Sequence, residues 1–263
     1  MTCPPTGPDA RLLPFAAAAR RTLAVFGAPV ELVFVPERQA RADRATALRP
    51  AFGRSRAAAI VADEALWRDE RHAVTPNRYP FANAQRILWP LAVLRDPDLA
   101  MWTAACRWAD AADGTALVNT IGAAATIGRA HAHLLPERLP FLASLPTRPL
   151  RQPPIDAPDG VELCAAEVPF CLLAVRGDAA ARAEALVRFG EARLTASWNV
   201  VVQQGTAWLY PRRLETPAPH FPFALGAAEV WGRWCYGTRA PFDAATCADL
   251  ERALVTAGAE PLP

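Results

Sequence analysis

Apolar residues fall along this chain in short runs, and the character of each run predicts an element. The alanine-rich stretch from Arg11 to Phe26, with its paired arginines, reads as a helix. In "VELVFVPE", Val30 to Glu37, β-branched residues dominate and predict a strand. "HAVTPNRYPFANAQRILWP", His72 to Pro90, predicts two strands joined by a turn around Pro80–Ala84. A helix should follow, with Asp96 as N-cap, Pro97 at its first position and Gly114 as its stop. "TALVNTIG" and "RAHAHLL" then read as strands on either side of a small-residue loop. Five prolines between Pro146 and Gly160 suit neither a helix nor a central strand, so they mark a boundary or crossover. Beyond them the pattern predicts one strand through Val161–Val175 and a helix from Asp178 to about Leu194. A hairpin in "SWNVVVQQGTAWLYPRR", a strand near Phe223–Trp231 and a C-terminal helix capped at Asp243 complete the series. The second half repeats the ingredients of the first. The expectation is an α+β fold: antiparallel sheet with flanking helices, in two related halves. Residues 1–145 would form the first half, 146–160 a proline-rich connection, and 161–263 a second half packing on the first.

Composition narrows the chemistry. A chain of 263 residues that is 52% hydrophobic and 21% charged can bury a large core and is not a disordered chain. The net charge of +2, without a basic cluster, offers no footprint for nucleic acid. There is no lysine: all 28 basic residues are arginine. Schiff-base lysines and P-loop lysines are therefore excluded, and any phosphate must be held by arginine, histidine or backbone N–H groups. Six scattered cysteines without a CxxC pair read as reduced, mostly buried thiols, and no structural zinc is expected. No apolar run is long enough to span a bilayer. The protein is read as cytoplasmic, with no membrane partner.

Candidate chemistry concentrates in "NTIGAAATIGRAHAHLLPERLPF", Asn119 to Phe141, which holds two of only four histidines. On a strand, His131 and His133 would project from one face, roughly 6–7 Å apart at Cα. The loop from Gly122 to Ala130 is nearly free of side-chain bulk, so its N–H groups could approach an anion. A histidine beside such a loop suits attack at phosphorus: neutral imidazole is nucleophilic near pH 7, and a carbonyl accepting from Nδ1–H would aim Nε2 at a substrate. Two other readings stand beside it. The rings could be structural, or His131, His133 and Glu137 could be three metal ligands in HxHxxxE spacing. Arg78 and Arg129 are ordinary surface arginines unless a phosphate requires them; Glu137 is read as solvent-facing or paired beside Arg138. The tryptophan-rich stretch Glu229–Gly237 is read as core and rim packing.

Four ordered segments, covering roughly Ala73–Leu142 and Ser197–Gly232, resemble the histidine-triad superfamily. The similarity is to its galactose-1-phosphate uridylyltransferase branch and, more closely, to its diadenosine tetraphosphate phosphorylases (ATP adenylyltransferases). "PNRYPFANAQRILWP" looks like the family hairpin, and "VNTIGAAATIGRAHAH" like its Asn, Gly-rich loop and His-x-His signature. "SWNVVVQQGTAWLYPRR" and "PFALGAAEVWG" are similar to the phosphorylase C-terminal region, which draws in Asn199 and Arg212. The resemblance implies a nucleotidyltransferase or phosphorylase in which His133 attacks the α-phosphorus and His131 supports it. Asn119 and the loop with Gly122, Thr126, Gly128 and Arg129 would line the phosphates, and Asn77, beside Arg78, the nucleoside pocket. Inorganic phosphate or a sugar phosphate would accept the nucleotidyl group. No resident cofactor is implied beyond a Mg2+ ion carried with the nucleotide, and the protein would be a monomer or homodimer. Leu135 departs from the pattern, because the family has Gln or a third His two residues after the nucleophile. A catalytically weakened nucleotide-binding or regulatory protein is the alternative that Leu135 raises.

Overall fold

The computed structural model describes residues 3–38 and 57–263. Near the N-terminus, β1 (Ala19–Val25) and β2 (Ala28–Phe34) form a hairpin across Phe26 and Gly27. The helix expected over Arg11–Phe26 is thus absent: Ala19–Val25 is strand, and the residues before it form no helix. The two turn residues have φ of 48° and 76°, and this left-handed turn folds the alternately buried β1 back on β2. A short helix, α1 (Ala57–Asp63), precedes β3 (Trp67–Arg68), β4 (His72–Pro76) and β5 (Arg86–Pro90), so the hairpin expected over His72–Pro90 is present. Next come α2 (Leu99–Ala111), β6 (Thr115–Asn119) and β7 (Ala132–Leu135). The cap of α2 is Asp98 rather than Asp96; its carboxylate accepts from Met101 N at 2.9 Å. "DPD" offers two aspartates, and the one that reaches the first turn is beyond the proline.

The proline-rich stretch holds only β8 (Thr147–Pro149), on the outer edge of the sheet, where a missing N–H is tolerated. The single strand expected through Val161–Val175 is two, β9 (Glu162–Ala166) and β10 (Leu173–Arg176), paired antiparallel around a turn that contains Pro169. After α3 (Ala179–Ala192), the helix expected from Asp178, with Asp178 as its N-cap, come the hairpin strands β11 (Ser197–Gln203) and β12 (Thr206–Arg212). The strand expected near Phe223–Trp231 is instead α4 (Ala227–Trp231) followed by β13 (Arg233–Tyr236). The Glu229 carboxylate accepts from Gly226 N and starts the helix, while Gly232, at φ 110°, ends it. Asp243 lies inside α5 (Arg239–Ala244); the longer C-terminal helix, α6 (Cys247–Ala257), is capped by Thr246.

Ten strands form one antiparallel sheet in the order β3-β4-β5-β7-β6-β11-β12-β10-β9-β8. Helices α2 and α3 pack against each other and cover one face, burying Trp102, Trp108 and Phe189 against alternate residues such as Leu88, Val118 and Val200. The other face carries Leu117, Leu135, Val201 and Trp208. It is covered by the second sheet, in which β13 runs parallel to β2 and β1 antiparallel to it, together with α4 to α6. The result is the antiparallel sheet with flanking helices that the pattern predicted. Among the described residues no helix is long and apolar enough to cross a membrane, and all six cysteines are free thiols. Burial pushes the thiols of Cys106 and Cys171 up to about 12, so both are inert.

Candidate functional site

The register of the sheet brings the histidines together. His133 pairs with Ile87 on β5 and with Leu117 on β6, so it points to the face away from α2 and α3, and His131 follows it by alternation. Both rings are buried, at 4% and 6% exposure. Their centroids lie 5.3 Å apart with the planes at 78°. His131 stacks on Trp89 at 5.1 Å and 27°, and His133 meets the edge of Phe81 at 5.7 Å. Each ring also has a fixed polar contact: His131 Nδ1 lies 2.8 Å from the Arg129 carbonyl oxygen, and His133 Nδ1 lies 3.0 Å from Gln85 Nε2. Trp89 in turn donates from Nε1 to Thr75 Oγ1 at 2.9 Å, so the ring on which His131 rests is itself held.

The loop between β6 and β7 is anchored at its start. Thr120 Oγ1 donates to Trp198 O and accepts from Trp198 N, and Gly122 adopts φ 88° so close to Ser197 that a Cβ would lie 3.2 Å from that residue's own. The Ala123 N–H is taken by Thr120 O and the Ala124 N–H by Glu215 Oε1. Thr126 is half-buried and Gly128 buried. The Arg129 guanidinium turns back to the carbonyls of Pro90, Leu91 and Ala92, and burial lowers its pKa from the usual value.

The remaining expected residues sit as follows. Asn77 is buried and caps its own turn, accepting from Tyr79 N at 3.1 Å. Arg78 is exposed and pairs with Glu64, just beyond α1. Asn119 accepts from both Asn199 Nδ2 and Ala227 N at 2.7 Å, joining the central strands to the start of α4. Asn199 also accepts from Arg212 at 2.6 Å, and burial lowers the Arg212 pKa. Glu137 is partly exposed to solvent but is not paired with Arg138. Arg233 holds it through two bonds of 2.8 and 3.0 Å, while Arg138 pairs with Asp113. Its carboxylate is thereby committed, and among the described residues no group of three or more His, Cys, Asp or Glu side chains could hold a metal ion. Gln85, Phe81 and Trp89 are the neighbours that sequence reasoning missed. Only the hairpin register, which lays β5 beside β7, brings them to the histidines.

A cavity of about 290 Å3, lined by residues such as Arg148, Phe170, Leu172 and Leu262, lies at the β8–β10 end of the sheet and includes none of these groups. The chemistry argues for the histidine pair, since that cavity's walls are largely aliphatic and aromatic.

The sequence matches no known family model and none of the curated proteins. Solved structures do match. Yeast Ap4A phosphorylase Apa2 in complex with Ap4A superposes with a TM-score of 0.69 at 14% identity, covering 96% of this chain and 93% of that one. The same yeast enzyme in complex with AMP gives 0.68 at 15%, over 96% and 91%. The chain has the fold of this phosphorylase, the branch to which the sequence resemblance pointed.

Proposed function

We propose that the protein transfers a nucleotidyl group from a nucleoside polyphosphate or nucleotide-linked substrate to a phosphate-bearing acceptor, through a covalent histidine intermediate. One observation carries this reading: two buried imidazoles sit side by side behind a glycine-rich loop, on the fold of an Ap4A phosphorylase. Buried imidazole nitrogens held by fixed partners lose little freedom on reaction, and a water-poor site strengthens their interaction with a phosphoryl group. Splitting the transfer into two displacements needs a good nucleophile and donors around phosphorus, and neither role requires lysine. Mg2+ carried with the polyphosphate would share its charge.

The test is incubation of the purified protein with α-labelled ATP, GTP and UTP, with and without Mg2+. The expected product is an acid-labile, base-stable protein adduct that disappears in the double variant His131→Ala, His133→Ala. Adding inorganic phosphate or a sugar phosphate should discharge it, and the more effective one identifies the acceptor. Absence of any adduct in the wild type would sink covalent transfer. Nucleotide binding without an adduct would instead favour the binding-protein reading, which draws support from Arg129 and Asn119 being engaged with protein partners.

A further inference from the structure

The two rings are held in opposite tautomers. A carbonyl oxygen only accepts, so the 2.8 Å contact of His131 Nδ1 with Arg129 O places a proton on Nδ1. Neutral His131 then carries its electron pair on Nε2. At His133 the partner is an amide, and the far end of that amide sets its orientation. Phe81 N–H donates to Gln85 Oε1 at 2.9 Å. Because a backbone N–H only donates, the oxygen faces Phe81 and the NH2 group faces His133. An NH2 group likewise only donates, so His133 Nδ1 accepts at 3.0 Å, and the neutral ring carries its proton on Nε2.

We infer that His131 is the nucleophile of the proposed transfer, and that His133 serves it as an Nε2–H donor to the phosphoryl group. This assignment rests on the function proposed above and reverses the roles that the His-x-His resemblance implied. In the first step the Nε2 electron pair of His131 forms a bond to the α-phosphorus. The bond from that phosphorus to its bridging oxygen breaks, and its electrons leave with the departing phosphate. The His131 ring becomes a cation and keeps its Nδ1 proton, which the Arg129 carbonyl continues to accept. In the second step an oxygen of the phosphate acceptor attacks, the N–P bond breaks and its electrons return to Nε2. Neither step requires His131 to gain or lose a proton. His133 cannot attack in the same way, because its Nε2 is protonated and its Nδ1 pair is engaged by Gln85. Stacking on Trp89 fixes the plane of the attacking ring. Gln85 is a positioning residue that acts through His133.

Two measurements test the assignment. Trypsin cuts after Arg129 and Arg138, so one peptide, Ala130–Arg138, holds both histidines. Electron-transfer fragmentation of that peptide from alkaline-quenched wild type, after reaction with ATP, should place the added AMP on His131. His133→Ala, which removes the donor, should still form the adduct but more slowly, by about 10²–10³-fold, and His131→Gln should form none. AMP on His133, or an adduct that survives His131→Gln, overturns the assignment and leaves nucleotidyl transfer standing. No adduct in any protein removes both. The second measurement needs no substrate. Nitrogen-15 spectra of the resting protein should show Nδ1–H at His131 and Nε2–H at His133. The near-isosteric Gln85→Glu should move only the His133 proton to Nδ1. A resting His133 already protonated at Nδ1 alone would overturn the assignment independently.

Discussion

At the scale of single residues, burial and the direction of one hydrogen bond decide what a histidine can do. His131 and His133 look interchangeable in "RAHAH", yet one faces a carbonyl and the other an amide NH2. With His131 as nucleophile, the residue two positions on is His133, and Leu135 becomes an ordinary core residue with no exposure. His72 shows what burial does to an imidazole outside the site. Its Nδ1 has no hydrogen-bond partner among the described residues and lies 3.7 Å from Asp69 Oδ1. Burial lowers its pKa, and Asp69 and Asp98 pull only partly the other way. Below about pH 6.5, the ordinary imidazole value, the unfolded chain takes up this proton before the folded one does. The His72 contribution to stability is therefore complete above that pH and declines as pH falls towards the folded value. Urea unfolding at pH 7, 6 and 5 should show the wild-type midpoint falling more steeply than that of His72→Gln. Equal slopes would refute the assignment.

At the scale of elements, turn chemistry overrode run composition. The apolar and alanine-rich character of Arg11–Phe26 suggested a helix, but the hairpin residues Phe26 and Gly27 made its second half, Ala19–Val25, a strand. Near Phe223–Trp231 the pattern suggested a strand, whereas Glu229 and Gly232 bound a short helix before the strand begins. Gly232 is required twice over. Its φ of 110° is strained for a side chain, and a Cβ there would lie 2.6 Å from Phe141 Cβ. Gly232→Ala should cost about 2–4 kcal/mol, the sum of backbone strain and overpacking. Urea denaturation with an unchanged m-value would register it. A loss below about 1 kcal/mol would mean that the Phe141 segment yields easily.

At the scale of the whole molecule, two halves of five strands share one sheet. The order β3-β4-β5-β7-β6 is repeated by β8-β9-β10-β12-β11, with α2 and α3 in equivalent places. The helix caps Asp98 and Asp178 lie 80 residues apart, as do Asn119 and Asn199, which face each other where the halves meet. By register, the second-half positions matching His131 and His133 are Tyr210 and Arg212, so this sheet carries one histidine pair for two halves. We propose that residues 1–145 and 161–263 carry these two units, with β8 from the connecting stretch 146–160 completing the second. The smaller sheet is tied across the first half by Arg233, which is buried against Trp231 and bonds Glu31 on β2 and Glu137 after β7. Arg233→Met would leave both carboxylates without that cation. The expected loss is about 3 kcal/mol, the low end for a broken buried pair because each carboxylate still reaches solvent. Urea unfolding of the variant checks it, and an unchanged midpoint would show the pair to be replaceable by packing.

Alternation and turn residues along the sequence determined by themselves the α+β class, the His72–Pro90 and Ser197–Arg212 hairpins, the helix from Asp178 and the small-residue loop before the histidines. Those features follow from local sterics and period-two burial, which a sequence displays directly. The placement of the two rings on one sheet face was also legible, since residues i and i+2 must share it. Only the tertiary structure decided their partners. Gln85 lies 48 residues from His133 and reaches it through strand pairing, and Arg233 reaches Glu137 across 96 residues. Which nitrogen carries a proton depends on such long-range contacts, because a tautomer is set by the neighbour's donor or acceptor character and not by the histidine's own place in the chain.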